Sequence, residues 1–262
     1  MIETPTPSIL TRDDGPAIAY HQFSANTDAP GVVFLSGFMS DMMGTKALAV
    51  EAWCRQQKVS FLRFDYRGHG QSEGAFRDGT IGLWAEDAVF AVDQLTKGPQ
   101  ILIGSSMGGW IMLLVALKLK QRIAGLIGIA AAPDFTEYLI DNELTDDDRA
   151  VLERDGFITV PTEYDDEPYV ITRDLIEDGR TQMLLNAAIP LALPVRLIQG
   201  LKDDDVPWRT ALHLQQQLAS DDVEVTLIKD GDHRLSDPTD LDRLTSTLGR
   251  LIDHIQAASP SR

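Results

Sequence analysis

The sequence predicts an α/β protein: a largely parallel central sheet with helices on both faces and one long excursion between two of its strands. Three observations carry this. Short apolar, β-branched runs recur at 31–35, 60–66, 100–104, 123–131, 195–199 and 223–228, and their continuous apolarity is that of strands buried on both faces. Helical periodicity falls between them, at Ile81, Trp84, Ala88, Val92 and Leu95 and again at Leu241, Leu244, Leu248, Leu251 and Ile255. Strand and helix alternate steadily, as parallel neighbours require, because each such pair needs a long crossover. The third observation is residues 134–193, 60 residues between Pro133 and Pro194 with helical pieces and no clear strand.

The first element, 9–23, is interrupted by Asp13-Asp14-Gly15 and reads as an antiparallel hairpin at the sheet edge. The run 100–104 leads into Gly104-Ser105-Ser106-Met107-Gly108 and then a helical stretch, 110–118. After 195–199, Pro207 opens another helix, where its missing N–H costs nothing. The chain has no internal repeat and no low-complexity linker, so the expected organisation is one core, 1–133 with 194–262, and a helical lid, 134–193. A chain of 262 residues is long enough to bury roughly three quarters of its unfolded surface.

Composition excludes several classes of function. The formal charge is −17, which repels nucleic acid and anionic membrane surfaces. Much of the excess lies in 134–193, where 16 Asp and Glu face four Arg and no Lys, a net −12 that reads as a solvated outer face. The single cysteine, Cys54, precludes an intramolecular disulfide framework, has no base beside it in sequence and reads as inert packing. No Cys/His cluster has zinc spacing. No apolar run is long enough to span a membrane, and Met1 to Pro5 has neither the basic nor the apolar region of a leader. The expectation is a cytoplasmic protein with no stable membrane insertion and no metal or organic cofactor.

Gly-x-Ser-x-Gly between a buried strand and a helix marks Ser106 as a nucleophile. A serine raised on so tight a turn takes a strained backbone conformation, and side chains two residues to either side would collide. The helix N-terminus adds N–H donors beside the hydroxyl. A hydroxyl needs a base, and the base needs an acid to orient it. Of five histidines, His21 falls in the edge hairpin, His213 and His254 in peripheral helices, and His69 in Arg67-Gly68-His69-Gly70-Gln71-Ser72, which lacks the lysine and spacing of a phosphate loop. His233, in Asp230-Gly231-Asp232-His233-Arg234 after the last strand, can be carried over the C-terminal ends of the strands to the serine. The acid falls in Gly200-Leu201-Lys202-Asp203-Asp204-Asp205-Val206-Pro207, where residue chemistry alone leaves three aspartates equivalent. Ser36-Gly37-Phe38-Met39 follows the strand 31–35, so the N–H groups of Phe38 and Met107 are candidate oxyanion donors. Met39, Met42, Met43, Trp110, Phe135 and Leu139 lie in or beside these motifs and are candidates for an adaptable acyl pocket.

The Arg67–Ser72 loop, the serine turn, the Gly-x-x-Asp-x-x-Val-Pro turn and the final Gly-Asp-His together resemble the α/β-hydrolase superfamily. That resemblance implies Asp203 as the acid, with Asp204 and Asp205 as solvated neighbours. The stretches 37–46, 104–110, Ala132-Pro133-Asp134-Phe135 and 231–236 are further similar to the branch of mitochondrial palmitoyl-protein thioesterases, also called mycophenolic acid acyl-glucuronide esterases. It implies hydrolysis of ester or thioester bonds in a small molecule or an acylated protein, without a cofactor. This sequence departs from that branch in showing no mitochondrial presequence. The acidic lid is expected to disfavour anionic leaving groups such as coenzyme A unless Arg77 or Arg234 compensates locally. Other classes fit the same fold: a ligand-binding or scaffold protein without turnover, a serine peptidase or a carbon–carbon bond hydrolase. An intact Ser/Asp/His set argues against the non-catalytic reading.

Overall fold

The structure is a computed structural model, and it describes residues 6–160 and 168–258. The Met1–Pro5 segment used for the leader argument, and the acidic residues of 161–167, lie outside the described residues. In chain order the elements are β1 (Ser8–Arg12), β2 (Gly15–Phe23), β3 (Gly31–Leu35), α1 (Thr45–Gln57), β4 (Phe61–Phe64), α2 (Ile81–Leu95), β5 (Gln100–Ser105), α3 (Met107–Lys118), β6 (Ile123–Ile129), α4 (Phe135–Asn142), α5 (Asp146–Asp155), β7 (Phe157–Val160), β8 (Tyr169–Thr172), α6 (Arg173–Thr181), β9 (Val195–Gly200), α7 (Trp208–Gln217), β10 (Val223–Ile228) and α8 (Pro238–Ala258).

The main sheet has eight strands in the order β1-β2-β4-β3-β5-β6-β9-β10. Only β2 runs against its neighbours, pairing antiparallel with both β1 and β4. The predicted hairpin is therefore joined to the parallel sheet through one of its two strands. Every residue of β3, β4, β5 and β9 is buried, which is why their sequences are continuously apolar apart from a few paired polar groups. β10 differs: it alternates between exposed and half-buried positions because it closes the sheet edge. Two apolar layers cover the sheet. One contains α1 and α8, with Val50, Cys54, Leu244, Leu248 and Leu251; the other contains α2, α3, α7 and apolar side chains from the described part of 134–193. Cys54 is fully buried, and desolvation pushes its thiol far above the ordinary range, so it is inert packing.

After β3 the chain first moves to one side, to β4, and then returns to β3's other flank as β5. The crossovers leave in opposite directions from neighbouring strands there, which opens a crevice at the carboxyl ends of β3 and β5. Both candidate motifs, Ser36–Met39 and Gly104–Gly108, begin at those ends.

The 134–193 insertion is not wholly helical. Besides α4, α5 and α6 it contains an antiparallel pair, with Phe157 opposite Thr172 and Val160 opposite Tyr169. Four-residue runs rich in β-branched and aromatic residues were too short to separate from helix by periodicity, and Gly156, left-handed at φ 80°, is what ends α5 and turns the chain into β7. Nor do the described residues of the insertion form a core of their own. Leu139, Leu152, Ile158, Ile171, Leu175 and Ile176 pack into the same cluster as α2 and α3. Its two ends are clasped by Asp134, whose carboxylate accepts the N–H groups of Leu184 and Leu185 at 2.8–3.1 Å.

Candidate active site

Ser106 joins β5 to α3 with φ 54° and ψ −122°, a conformation that a residue bearing a Cβ rarely adopts. Neighbouring strands hold it there: its N–H donates to the Ile129 carbonyl at 2.9 Å, and its carbonyl accepts from Ala132 at 3.0 Å and from Gly109 at 2.8 Å. The flanking glycines are required by space. A Cβ on Gly104 would stand 2.3 Å from the Gly108 carbonyl oxygen, and one on Gly108 would stand 2.1 Å from that of Leu35.

Three segments far apart in the chain meet at this turn. His233 Nε2 is 3.1 Å from Ser106 Oγ, and His233 Nδ1 is 3.0 Å from both Asp203 oxygens. Asp203's side chain has no exposed surface and that of His233 is 14% exposed, so water does not compete for the acid while the histidine stays reachable. Asp203 also accepts the backbone N–H groups of Asp205 at 3.0 Å and Val206 at 2.7 Å, and Gln199 Nε2 at 2.7 Å. Asp204 and Asp205 are both exposed, and the Asp205 carboxylate still comes within 4.8 Å of the facing atoms of Asp203 and His233. Gly37 lies against the serine, where a Cβ would be 3.4 Å from Ser106 Cβ. Phe38 therefore follows directly beside the hydroxyl. Met107 is the first residue of α3, so its N–H is among the helix donors without an intrahelical acceptor.

A family model described as the alpha/beta hydrolase family matches residues 32–244, four fifths of the chain. This chain belongs to the alpha/beta hydrolase family. It is 39% identical over 256 residues to palmitoyl-protein thioesterase ABHD10, mitochondrial, of Mus musculus, covering 97% of this chain and 84% of the relative. The Bos taurus protein of that name is 38% identical over 251 residues, 95% and 80% of the two chains. Among solved structures, mouse alpha/beta hydrolase domain-containing protein 10 superimposes with TM-score 0.88 at 38% identity, over 96% of this chain and all of the other. A putative hydrolase from Agrobacterium vitis gives 0.89 at 42%, over 95% and 98%. These relatives overturn the cytoplasmic expectation, since the mammalian proteins are named mitochondrial. The lone cysteine could not have separated the compartments, because a reducing interior is common to both.

The alpha/beta hydrolase places its expected acyl-pocket residues unevenly. Phe38 is the centre of an aromatic group, edge-on to Phe76 at 4.9 Å, Trp84 at 5.9 Å, Phe135 at 5.7 Å and Tyr169 at 5.5 Å. Phe135 also meets Trp110, at 5.8 Å. Met39 is half-buried at φ 51°, and Leu139 is 8% exposed within the core cluster. Met42 and Trp110 have no exposed surface in this conformation. The backbone N–H of Met42 donates to Asp65 at 2.6 Å, and Trp110 is held inward by its Nε1, which donates to the Gln182 carbonyl at 3.1 Å. Met43 gives its sulfur to Arg63 at 3.0 Å.

The Arg67–Ser72 loop of the hydrolase is committed to the fold. Arg67 pairs with the fully buried Asp87 at 2.7 Å, Gln71 N–H is held by Asp65 at 2.8 Å, and Ser72 Oγ donates to the Asp65 carbonyl at 2.6 Å. His69 is packed between the rings of Tyr66, Phe76 and Trp84 at 5.0–5.5 Å, and burial holds its pKa down to about 4. In the unfolded chain it titrates near 6.5, so between these values the unfolded state binds a proton that the folded state does not. Its contribution to stability is complete above pH 6.5 and falls as pH drops, reaching a loss of about 3 kcal/mol by pH 4. Urea unfolding from pH 7 to 4 is expected to show this acid slope, and His69→Phe to reduce it; an unchanged slope in the variant would refute the assignment. Sequence reasoning missed Gln199, whose only signal was a second polar residue, besides Arg196, inside a buried strand immediately before the acid turn.

Proposed function

We propose that this hydrolase cleaves carboxylic ester or thioester bonds through an acyl-serine, with Ser106 as nucleophile, His233 as base and acid, and Asp203 as the group that orients the imidazole. The observation that carries the reading is the continuous hydrogen-bonded line from Asp203 through His233 to a serine held at positive φ. His233 Nε2 takes the Ser106 proton as Oγ bonds to the acyl carbon. The carbonyl oxygen becomes an oxyanion between the N–H groups of Phe38 and Met107, a contribution of about 3–4 kcal/mol per donor in comparable sites. As the tetrahedral intermediate collapses, the bond to the alcohol or thiol breaks and His233 returns the proton to that leaving group. Water then gives its proton to His233, attacks the acyl-serine and releases the carboxylic acid with Ser106 restored.

The relatives' name, palmitoyl-protein thioesterase, supports an acylated protein or a small thioester as substrate. The 134–193 insertion would act as a lid, with the rings of Phe38 and Phe135 and the side chains of Met39 and Leu139 against the acyl group. Its acidity disfavours strongly anionic leaving groups. Arg77, one of the two cations expected to offset this, is stacked on Phe157 at 5.1 Å. The test is a chain-length series of p-nitrophenyl esters with matched neutral thioesters and acyl-coenzyme A, across salt, with Ser106→Ala as blank. Turnover of both bond types is expected, with acyl-coenzyme A the poorer substrate and improved by salt. No turnover of any ester or thioester would overturn the reading, and a salt-independent preference for acyl-coenzyme A would overturn its electrostatic part.

A further inference from the structure

Lys46 belongs to the 37–46 stretch and is left unused by the chemistry above. It sits in the first turn of α1, a helix with no side-chain cap and no acidic residue in that turn. A cation is disfavoured at this end of a helix by the dipole, and here it is also half-buried. Such a placement needs compensating contacts. They come from the loop after His233, across a cavity of about 90 Å³ whose walls include Ser36, Gly37, Ser105 and Ser236. Lys46 Nζ donates to the Arg234 carbonyl, and Ser236 Oγ is 3.4 Å away. The loop is tightly wound: Asp232 accepts the Leu235 N–H at 2.9 Å, Leu235 takes φ 44°, and Ser236 Oγ donates to the Arg234 carbonyl at 2.9 Å. On the β9 side, Lys202 N–H holds the Gly231 carbonyl at 2.9 Å. Lys46 grips the same loop from the side of the Gly37–Phe38 turn.

We propose that Lys46 is a positioning residue, tying the loop that carries His233 to the start of α1 through the Arg234 carbonyl and the Ser236 hydroxyl. Its bearing on turnover rests on the hydrolase reading above. A histidine that must take a proton from Ser106 and return it to a leaving group tolerates little displacement, and an error of about 1 Å in such a group can cost 100-fold. The charge of the tether is itself titratable. Burial pushes the Lys46 ammonium down to about 8, with Arg234 adding to the lowering while Asp232, Asp240 and Asp203 oppose it. Loss of the proton removes one donor and the attraction to those aspartates, so the tether weakens in mild alkali.

The experiment compares wild type, Lys46→Met and Lys46→Arg by kcat and KM on a p-nitrophenyl ester from pH 6 to 10, by hydrogen exchange of residues 231–236, and by thermal midpoint. Lys46→Met is expected to lower kcat about tenfold with KM within about twofold, and to speed exchange of the loop. Wild-type kcat is expected to fall above about pH 8. Lys46→Arg, whose charge persists, should recover most of kcat and lack that alkaline fall. Unchanged kcat and exchange in Lys46→Met would overturn the proposal, as would a loss that follows the thermal midpoint and is not recovered by arginine. If wild type hydrolyses nothing but Lys46→Met still loosens the loop, the tether stands and the hydrolase reading fails.

Discussion

Ser106→Ala is expected to lower kcat by 10⁴-fold or more, on the order of 10⁶ where the oxyanion donors and substrate binding alone remain, and to abolish labelling by a fluorophosphonate probe. The same position yields a second readout. Ser106 is held at φ 54°, and backbone strain of this kind costs about 1–3 kcal/mol. Alanine keeps a Cβ and so keeps the strain, whereas Ser106→Gly relieves it. After the greater unfolded-state entropy of glycine is subtracted, Ser106→Gly should be about 1 kcal/mol more stable than Ser106→Ala, a rise of about 2–4 °C in Tm, and equally inactive. Labelling of Ser106→Ala at the wild-type rate would remove the serine from its role. A glycine variant less stable than alanine would show that the turn is not strained.

The second large effect separates three adjacent aspartates. Asp203→Asn is expected to lower kcat about 10⁴-fold, while Asp204→Asn and Asp205→Asn stay within a few-fold of wild type. The N–H groups of Asp205 and Val206 need an acceptor at Oδ1, so the asparagine amide must place its NH₂ at the Oδ2 position, towards Gln199 and His233. There it would donate to His233 Nδ1 and leave the proton on Nε2, the tautomer that cannot accept from Ser106. A pH–rate profile for the three variants with one ester substrate checks this. Comparable losses in Asp204→Asn or Asp205→Asn would place the acid elsewhere in the turn.

Residue chemistry left these aspartates equivalent, since all three share one turn and one charge; resemblance pointed to Asp203. What distinguishes it physically is two N–H donors of its own turn together with burial, and the burial does not exist until β9, the turn and the loop after β10 have packed. Lys46 was illegible because its partner, Arg234, is 188 residues away and becomes a contact only in the finished fold, and no periodicity marks a lysine that crosses a cavity. Met42 and Trp110 are pocket candidates from proximity in sequence, but adjacency to a motif does not say which way a side chain turns; in this conformation both are fully buried, and Trp110 Nε1 is held by the Gln182 carbonyl.

The sequence by itself determined the alternation of buried strand and helix, the serine turn, and the order in which serine, acid and base arrive along the chain. These are local: glycine spacing, apolar runs and helical period act within a few residues of one another. Only the tertiary structure decided which aspartate stands against His233, how the insertion shares the core, and which side chains reach the serine. Those outcomes depend on segments more than a hundred residues apart, 106 and 233, meeting at the crevice between β3 and β5, and that meeting is set by sheet order and burial rather than by any residue's own preference.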